Sequence, residues 1–115
     1  MSIKIYHNPR CSKSRQTLQI LEDKGVQVDI IEYLKQAPSK TELVDVLSLL
    51  GLSPRQLMRK GESIYKELNL ADESLSDDTL LAAMLENPIL IERPIVIANG
   101  KAAIGRPPES VLDII

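Results

Sequence analysis

The segment HNPRCSKSR, residues 7–15, contains the only cysteine and the only histidine of the chain. Cys11 follows His7 by four positions, and three basic residues flank the thiol: Arg10, Lys13 and Arg15. The thiolate is the nucleophilic form of cysteine, and nearby cations favour it by lowering the thiol pKa. These residue types at this spacing indicate a nucleophilic thiol, with His7 as a candidate for tuning its protonation.

A lone cysteine is more often a buried, inert residue than a catalytic one, so its place in the fold matters. Ile3 to Tyr6 is predicted to be a short strand. Ser14 to Lys24 is predicted to be a helix with Leu18 and Leu21 on its inner face. The thiol then lies at the N-terminus of this helix, where unpaired backbone amides and the helix dipole stabilise a thiolate.

The rest of the chain divides into a strand, a helical block, a hairpin and a closing helix. Val26 to Leu34 is predicted to be the second strand. The helical block has predicted helix starts at the capping box Ser39–Glu42, at Ser53-Pro54, at Tyr65 and at Ser76, and it ends at Asn87-Pro88. Asn99-Gly100 predicts a hairpin between strands Ile95–Ala98 and Lys101–Ile104, and Pro107-Pro108 opens a closing helix that runs through Leu112.

This order of elements predicts an α/β architecture. A strand-helix-strand unit followed by a hairpin and a last helix is the layout of a thioredoxin-like fold. Here a helical insertion lies between the second strand and the C-terminal hairpin. With 115 residues, 43% of them hydrophobic, we expect residues 1–115 to form a single domain.

Composition excludes several kinds of protein. One cysteine cannot form an internal disulfide or a multi-thiolate metal site, so neither a metal nor a bound cofactor is expected. MSIKIYHNP has no cationic segment before an apolar run, and no stretch approaches the ~20 apolar residues of a membrane span, so we expect a soluble, cytoplasmic protein without a membrane partner. A net charge of -2 gives no reason to expect nucleic-acid binding.

Charge is distributed unevenly along the chain. No acidic residue precedes Glu22, whereas residues 62–92 carry eight acidic residues and only Lys66 as a base. The thiol therefore lies in the cationic part of the sequence.

Four segments together resemble the glutaredoxin-coupled arsenate reductases, in a side branch of the ArsC/YfgD type. They are HNPRCSKSR, LMRK at 57–60, NPILIERPIV at 87–96 and GRPPESVLDII at 105–115. The resemblance covers essentially the whole chain. It implies that Cys11 attacks arsenate and that three arginines hold the oxyanion: Arg59, Arg93 and Arg106.

The resemblance also implies roles for neighbouring residues. Pro94 is expected to follow a cis peptide bond that places Arg93 beside the thiol. The loop around the nucleophile is matched by His7, Asn8, Ser14 and Arg15. The chain departs from the better-known members at Arg10, Ser12 and Lys13, where small residues are common. These departures leave open another oxyanion, or a thiol adduct, as the natural substrate.

The number of sulfurs decides what else the reaction needs. Reduction of As(V) to As(III) takes two electrons, and one thiol supplies one of them on going to a disulfide. Because Cys11 is the only thiol, a second must come from outside. Glutathione would release arsenite from a Cys11 arseno-thioester and leave a mixed disulfide, which a glutaredoxin would resolve.

Three other function classes fit the residues less well. A monothiol glutaredoxin-like thiol transferase fits Cys11 and Ser14, a C-x-x-S pattern, but leaves the three arginines unexplained. A Spx-type regulator, which binds RNA polymerase, usually carries C-x-x-C. A tyrosine-phosphatase-type enzyme needs an arginine six positions after the cysteine, where this chain has Thr17.

Overall fold

A computed structural model of the chain describes residues 3–115, which form two compact units. The first unit contains the described residues up to Gln36 and those from Arg93 to Ile115; the second is Ala37–Glu92. No helix within residues 3–115 is long and apolar enough to cross a membrane.

The first unit is built on a four-stranded mixed sheet in the order β2-β1-β3-β4. Its strands are β1 (Ile3–Tyr6), β2 (Val28–Ile31), β3 (Ile95–Ala98) and β4 (Lys101–Ile104). β1 is parallel to β2 and antiparallel to β3, and β3 is antiparallel to β4. The predicted hairpin is confirmed, with Asn99 at φ 55° and Gly100 at φ 72°, as a tight two-residue turn requires.

Two helical elements complete the first unit. They are α1 (Ser12–Asp23) and a C-terminal 3₁₀ helix (Pro108–Asp113), which contact each other. The shared core contains Ile3, Ile5, Leu21, Val96, Ala98 and Val111. The closing helix that Pro107-Pro108 predicts is therefore present as a 3₁₀ helix.

Two predicted boundaries in this unit were wrong. α1 begins at Ser12, two residues before the predicted start, so Cys11 itself is the N-cap. β2 is described as Val28–Ile31; its pairing stops at Ile31 because its partner Tyr6 is the last residue of β1, whereas the apolar pattern runs on to Leu34. Tyr33 and Leu34 consequently lie in a turn after the strand.

The second unit contains four α-helices and a short 3₁₀ helix. They are α2 (Lys40–Leu50), α3 (Pro54–Leu57), α4 (Ser63–Glu67), α5 (Asp77–Glu86) and the 3₁₀ helix Pro88–Leu90. The predicted capping box of α2 is present, and so is one at α3 between Ser53 and Gln56. α4 begins two residues before Tyr65, where its start was predicted, and ends at Glu67. The four-stranded mixed sheet and the helical insertion agree with the predicted fold class.

Candidate active site

Cys11 is the N-cap residue of α1, directly after the loop that follows β1. Its backbone is extended, with φ −94° and ψ 123°, and its N–H donates to the carbonyl oxygen of Asn8 at 3.0 Å. The Cys11 carbonyl oxygen accepts the first helical hydrogen bond, from the N–H of Arg15 at 3.0 Å. No side-chain oxygen caps this helix, so its first amides are directed towards the Cys11 sulfur.

Two arginines of the same unit contact this sulfur. Nη2 of Arg106 lies 3.6 Å from Cys11 Sγ, and the Arg93 side chain also interacts with the thiol. Arg106 Nε donates to the Arg93 carbonyl oxygen at 2.8 Å, which links the two arginines. The Arg93–Pro94 bond is cis, as the resemblance implies, and the Arg106–Pro107 bond, which the sequence did not single out, is also cis.

The surroundings of Cys11 favour its thiolate. Burial raises the pKa of Cys11, but the backbone N–H of Ser14, the Arg93 side chain and the backbone N–H of Lys13 together outweigh it. The pKa of Cys11 is therefore lowered from its ordinary value. The flanking arginines predicted from the sequence, Arg10 and Arg15, are not the cations that produce this shift.

The loop before Cys11 is held by a set of short hydrogen bonds. Ser14 Oγ lies 2.6 Å from His7 Nδ1 and accepts from the backbone N–H of Asn8 at 3.0 Å. Asn8 Oδ1 accepts from the backbone N–H of Arg10 at 3.0 Å, and Arg15 Nη1 donates to the carbonyl oxygen of Pro9 at 2.9 Å. These contacts bring four predicted supporting residues together around the thiol: His7, Asn8, Ser14 and Arg15.

His7 is buried, and its ring contacts Ser14. Burial lowers the pKa of His7, Glu32 raises it and Arg15 lowers it, with a net downward shift. The imidazole is therefore neutral at pH 7. The contact of His7 with Ser14 connects the ring to a residue whose own backbone N–H faces the sulfur.

Tyr33 is a site residue that the sequence did not identify. It is 1% exposed, and it interacts with Arg93: burial lowers the pKa of Arg93, while Cys11 and Tyr33 raise it, for a net increase. β1 and β2 are parallel, so their carboxyl ends, which lead to Cys11 and Tyr33, lie at the same edge of the sheet. Because the second strand was predicted to run to Leu34, Tyr33 lay inside it, and no sequence pattern indicated that its hydroxyl would reach Arg93.

Gly105 is a second site residue that the sequence did not identify. Its N–H donates to the Pro94 carbonyl oxygen at 2.9 Å. A Cβ at this position would lie 2.7 Å from Pro94 Cγ and would overlap the buried Thr17 side chain. Only glycine therefore allows the chain to pass this close to Pro94 before it places Arg106 at the thiol.

Arg59 lies in the second unit and is held by two carboxylates. Its Nε donates to Glu62 Oε2 at 3.2 Å, and its Nη1 donates to Glu92 Oε1 at 2.9 Å. Its backbone N–H donates to the Leu90 carbonyl oxygen at 2.6 Å, next to the bridge between Met58 and Ile91. Arg59 is thus fixed to the segment that directly precedes Arg93 in the sequence.

No group of three or more His, Cys, Asp or Glu side chains within residues 3–115 is placed to hold a metal ion. The groups that meet at Cys11 are hydrogen-bond donors: backbone N–H groups and guanidinium groups. Such an arrangement can stabilise a thiolate and bind an anion next to it.

Comparison with known proteins agrees with the fold. An arsenate reductase from Vibrio cholerae superimposes with a TM-score of 0.97 at 57% identity, over 100% of this chain and 98% of that one. The Escherichia coli K12 protein named "Uncharacterized protein YfgD" is 58% identical over 98% of this chain and 96% of its own length. An arsenate reductase of Neisseria meningitidis is 51% identical over 95% and 94%. The model described as the ArsC family matches residues 6–114, and the chain belongs to that family.

Proposed function

We propose that this protein reduces arsenate to arsenite, with Cys11 as the nucleophile and with glutathione and glutaredoxin supplying the electrons. The observation that carries the proposal is the contact of Cys11 Sγ with two guanidinium groups, one of them at 3.6 Å. Guanidinium forks stay charged and bind oxyanions in pairs, so an anion beside the sulfur would be held by the same groups. The arsenate reductases among the relatives support this substrate.

In the first step, the Cys11 thiolate attacks the arsenic atom of bound arsenate. An S–As bond forms, an As–O bond breaks, and the departing oxygen leaves as water after taking up protons. Negative charge collects on the remaining oxygens, where Arg93 and Arg106 stabilise it. The product is an arseno-thioester in which arsenic is still As(V).

In the second step, the thiolate of glutathione attacks Cys11 Sγ. An S–S bond forms and the S–As bond breaks, and its electron pair stays on arsenic, which leaves as arsenite, As(III). Each of the two thiols has then given one electron. Because the chain has one cysteine, the second sulfur has to be external. A glutaredoxin thiol then attacks the glutathione sulfur and restores Cys11.

The remaining predicted site residues either hold the loop of the nucleophile or bind the oxyanion. His7, Asn8, Ser14 and Arg15 hold the loop that presents Cys11. Arg59 is proposed as the third oxyanion ligand because the family resemblance implies it. Within residues 3–115 its Nη2 makes no hydrogen bond, so this nitrogen keeps donors for an anion.

The family model spans both compact units, which supports residues 1–115 acting as one arsenate reductase domain. The reaction consumes thiols, and we therefore place the protein in the reducing cytoplasm. Arg10, Ser12 and Lys13 leave a related oxyanion open as the natural substrate.

A thiol transferase is the second candidate function. The observation that favours it is Ser14, which is fully buried and bonded to His7 at the position of a resolving cysteine, so a mixed disulfide on Cys11 has no internal thiol to attack it. A Spx-type role in binding RNA polymerase has no comparable support.

The test is arsenate-dependent NADPH consumption in the presence of glutathione, glutaredoxin and glutathione reductase. Wild type should turn over and Cys11→Ser should not, and mass spectrometry after one cycle should find glutathione on Cys11. Multiple turnovers with thioredoxin as the sole reductant would contradict the external-thiol mechanism. Turnover of a glutathionylated peptide, without any arsenate-dependent reaction, would favour the thiol transferase.

A further inference from the structure

A cavity of about 290 Å³ opens in the first unit beside the loop that leads to Cys11. One wall is formed by residues 7–10, and the other by Glu32, Leu34 and Lys35 in the turn after β2. The two walls meet because β1 and β2 are parallel and end at the same edge of the sheet. The proposed reaction steps do not by themselves require this cavity.

The cavity lies next to the backbone of Cys11. Asn8 lines the cavity, and its carbonyl oxygen accepts the backbone N–H of Cys11 at 3.0 Å. Arg10, which also lines it, directly precedes Cys11. A small molecule in the cavity would therefore be placed beside the residue that must form a mixed disulfide.

The charges around the cavity are suited to a particular kind of ligand. Arg10 and Lys35 are cations and Glu32 is an anion, while His7 is kept neutral by burial. Within residues 3–115 the Arg10 guanidinium makes no hydrogen bond or ion pair. Lys35 Nζ lies 3.7 Å from Glu32 Oε1 in an exposed pair, which is weak and easily exchanged.

Glutathione carries the complementary set of charges. Its two carboxylates match the two cations, its ammonium group matches Glu32, and its net charge of about -1 opposes the formal +1 of the three side chains. Leu34, which is 41% exposed, offers an apolar contact for the peptide backbone between these groups.

We propose that this cavity binds glutathione and presents its thiol to Cys11, an inference that rests on the proposed function. Arg10 and Lys35 hold the carboxylates and Glu32 holds the ammonium group. The sulfur of the bound tripeptide then forms the S–S bond with Cys11 as arsenite leaves. Arg10, where the better-known relatives have a small residue, becomes a determinant of thiol specificity.

The first test measures binding without any reaction. S-methylglutathione, which cannot form a disulfide, is titrated into wild type while backbone amide NMR signals are recorded. Shifts should concentrate at Asn8, Arg10 and Lys35, and Arg10→Glu should weaken binding roughly tenfold, as expected for reversing one exposed charge. The matched control is Lys101→Glu, a charge reversal at an exposed position of β4, which should leave binding unchanged. Shifts elsewhere, or equal affinity in Arg10→Glu, would overturn the proposal.

The second test separates thiol binding from chemistry. With glutathione as the thiol, the KM for glutathione should rise about tenfold in Arg10→Glu and in Lys35→Glu. With 2-mercaptoethanol, which has neither carboxylate nor ammonium, the KM for the thiol should be the same in both variants as in wild type, whatever their kcat. An equal loss with both thiols would contradict a glutathione site. S-methylglutathione binding does not need arsenate. The first test therefore decides whether the cavity binds glutathione even if the protein does not reduce arsenate.

Discussion

The N-termini of α1 and α2 begin with the same backbone conformation but use it differently. At α2, Ser39 Oγ accepts the N–H of Glu42 at 3.1 Å, and the Glu42 carboxylate accepts the N–H of Ser39 at 3.0 Å. At α1, the N-cap is Cys11, and no such box forms. The amides that a serine and a glutamate satisfy at α2 are directed at a sulfur at α1.

The first turns also differ in charge. α2 has Glu42 in its first turn, which is the usual stabilising arrangement with the helix dipole, whereas α1 has no acidic residue there. A carboxylate at that place would repel both a thiolate and an incoming oxyanion. α1 therefore lacks the local stabilisation that α2 has at its N-terminus, and its positive end remains available for chemistry.

The largest effect is expected from replacing the N-cap of α1 by that of α2. Cys11→Ser should lower arsenate-dependent turnover by roughly three orders of magnitude or more, because an alcohol does not replace a thiolate nucleophile. The same change supplies a conventional cap, so the free energy of unfolding, measured at a pH below the folded pKa of Cys11 where the thiolate adds no stability, should increase by up to about 1 kcal/mol. Coupled kinetics and urea unfolding measure the two effects. Loss of activity together with loss of the fold would contradict the comparison.

The next largest effect concerns the arginines at the thiol. Arg93→Lys and Arg106→Lys keep the charge but lose the guanidinium fork, so activity should fall by roughly tenfold or more, with little change in stability. Arg55→Lys is the matched control. Arg55 donates to the carbonyl oxygens of Leu70 and Asp72, each at 2.9 Å, so its replacement should alter stability and leave kinetics unchanged. Unchanged kinetics in both thiol-site variants would remove these arginines from the oxyanion site.

A smaller effect is expected from pH. The pKa of Cys11 is lowered in the folded protein, so the midpoint of thiolate absorbance against pH should lie below the ~8.5 of a free thiol. A group whose folded pKa is depressed stabilises the fold fully above its unfolded pKa, and this contribution disappears as pH falls through the folded pKa. The stability of wild type relative to Cys11→Ala should therefore rise with pH across that window. A thiolate midpoint at or above the free value would contradict the activation of Cys11.

The smallest effect on activity is expected at the N-terminus of α2. Ser39→Ala removes the capping box and should cost about 1 kcal/mol of stability, with no change in turnover. Ser48→Ala, at an exposed position inside α2, is the control and should be neutral or slightly stabilising because alanine is the better helix former. A kinetic defect in Ser39→Ala would mean that the two N-termini are not as distinct as the structure indicates.

Local chemistry made much of this fold predictable. The Asn99-Gly100 hairpin and the Ser39–Glu42 capping box each depend on residues within a few positions of one another. The thiol at a helix N-terminus was predictable for the same reason. β2 was predicted too long at its C-terminal end. It ends where its partner β1 ends, and the apolar pattern of β2 carries no information about its partner.

The amino-acid sequence is enough to establish that the protein has one thiol, that basic residues flank it along the chain and that disulfide formation needs a second molecule. Which cations reach the sulfur depends on the tertiary structure. They come from Arg93 and Arg106, more than 80 positions away, and Gly105 and Tyr33 support them. Electrostatic interactions depend on distance in space, and that distance is set by the sheet, in which β3 pairs with β1 and β4 pairs with β3.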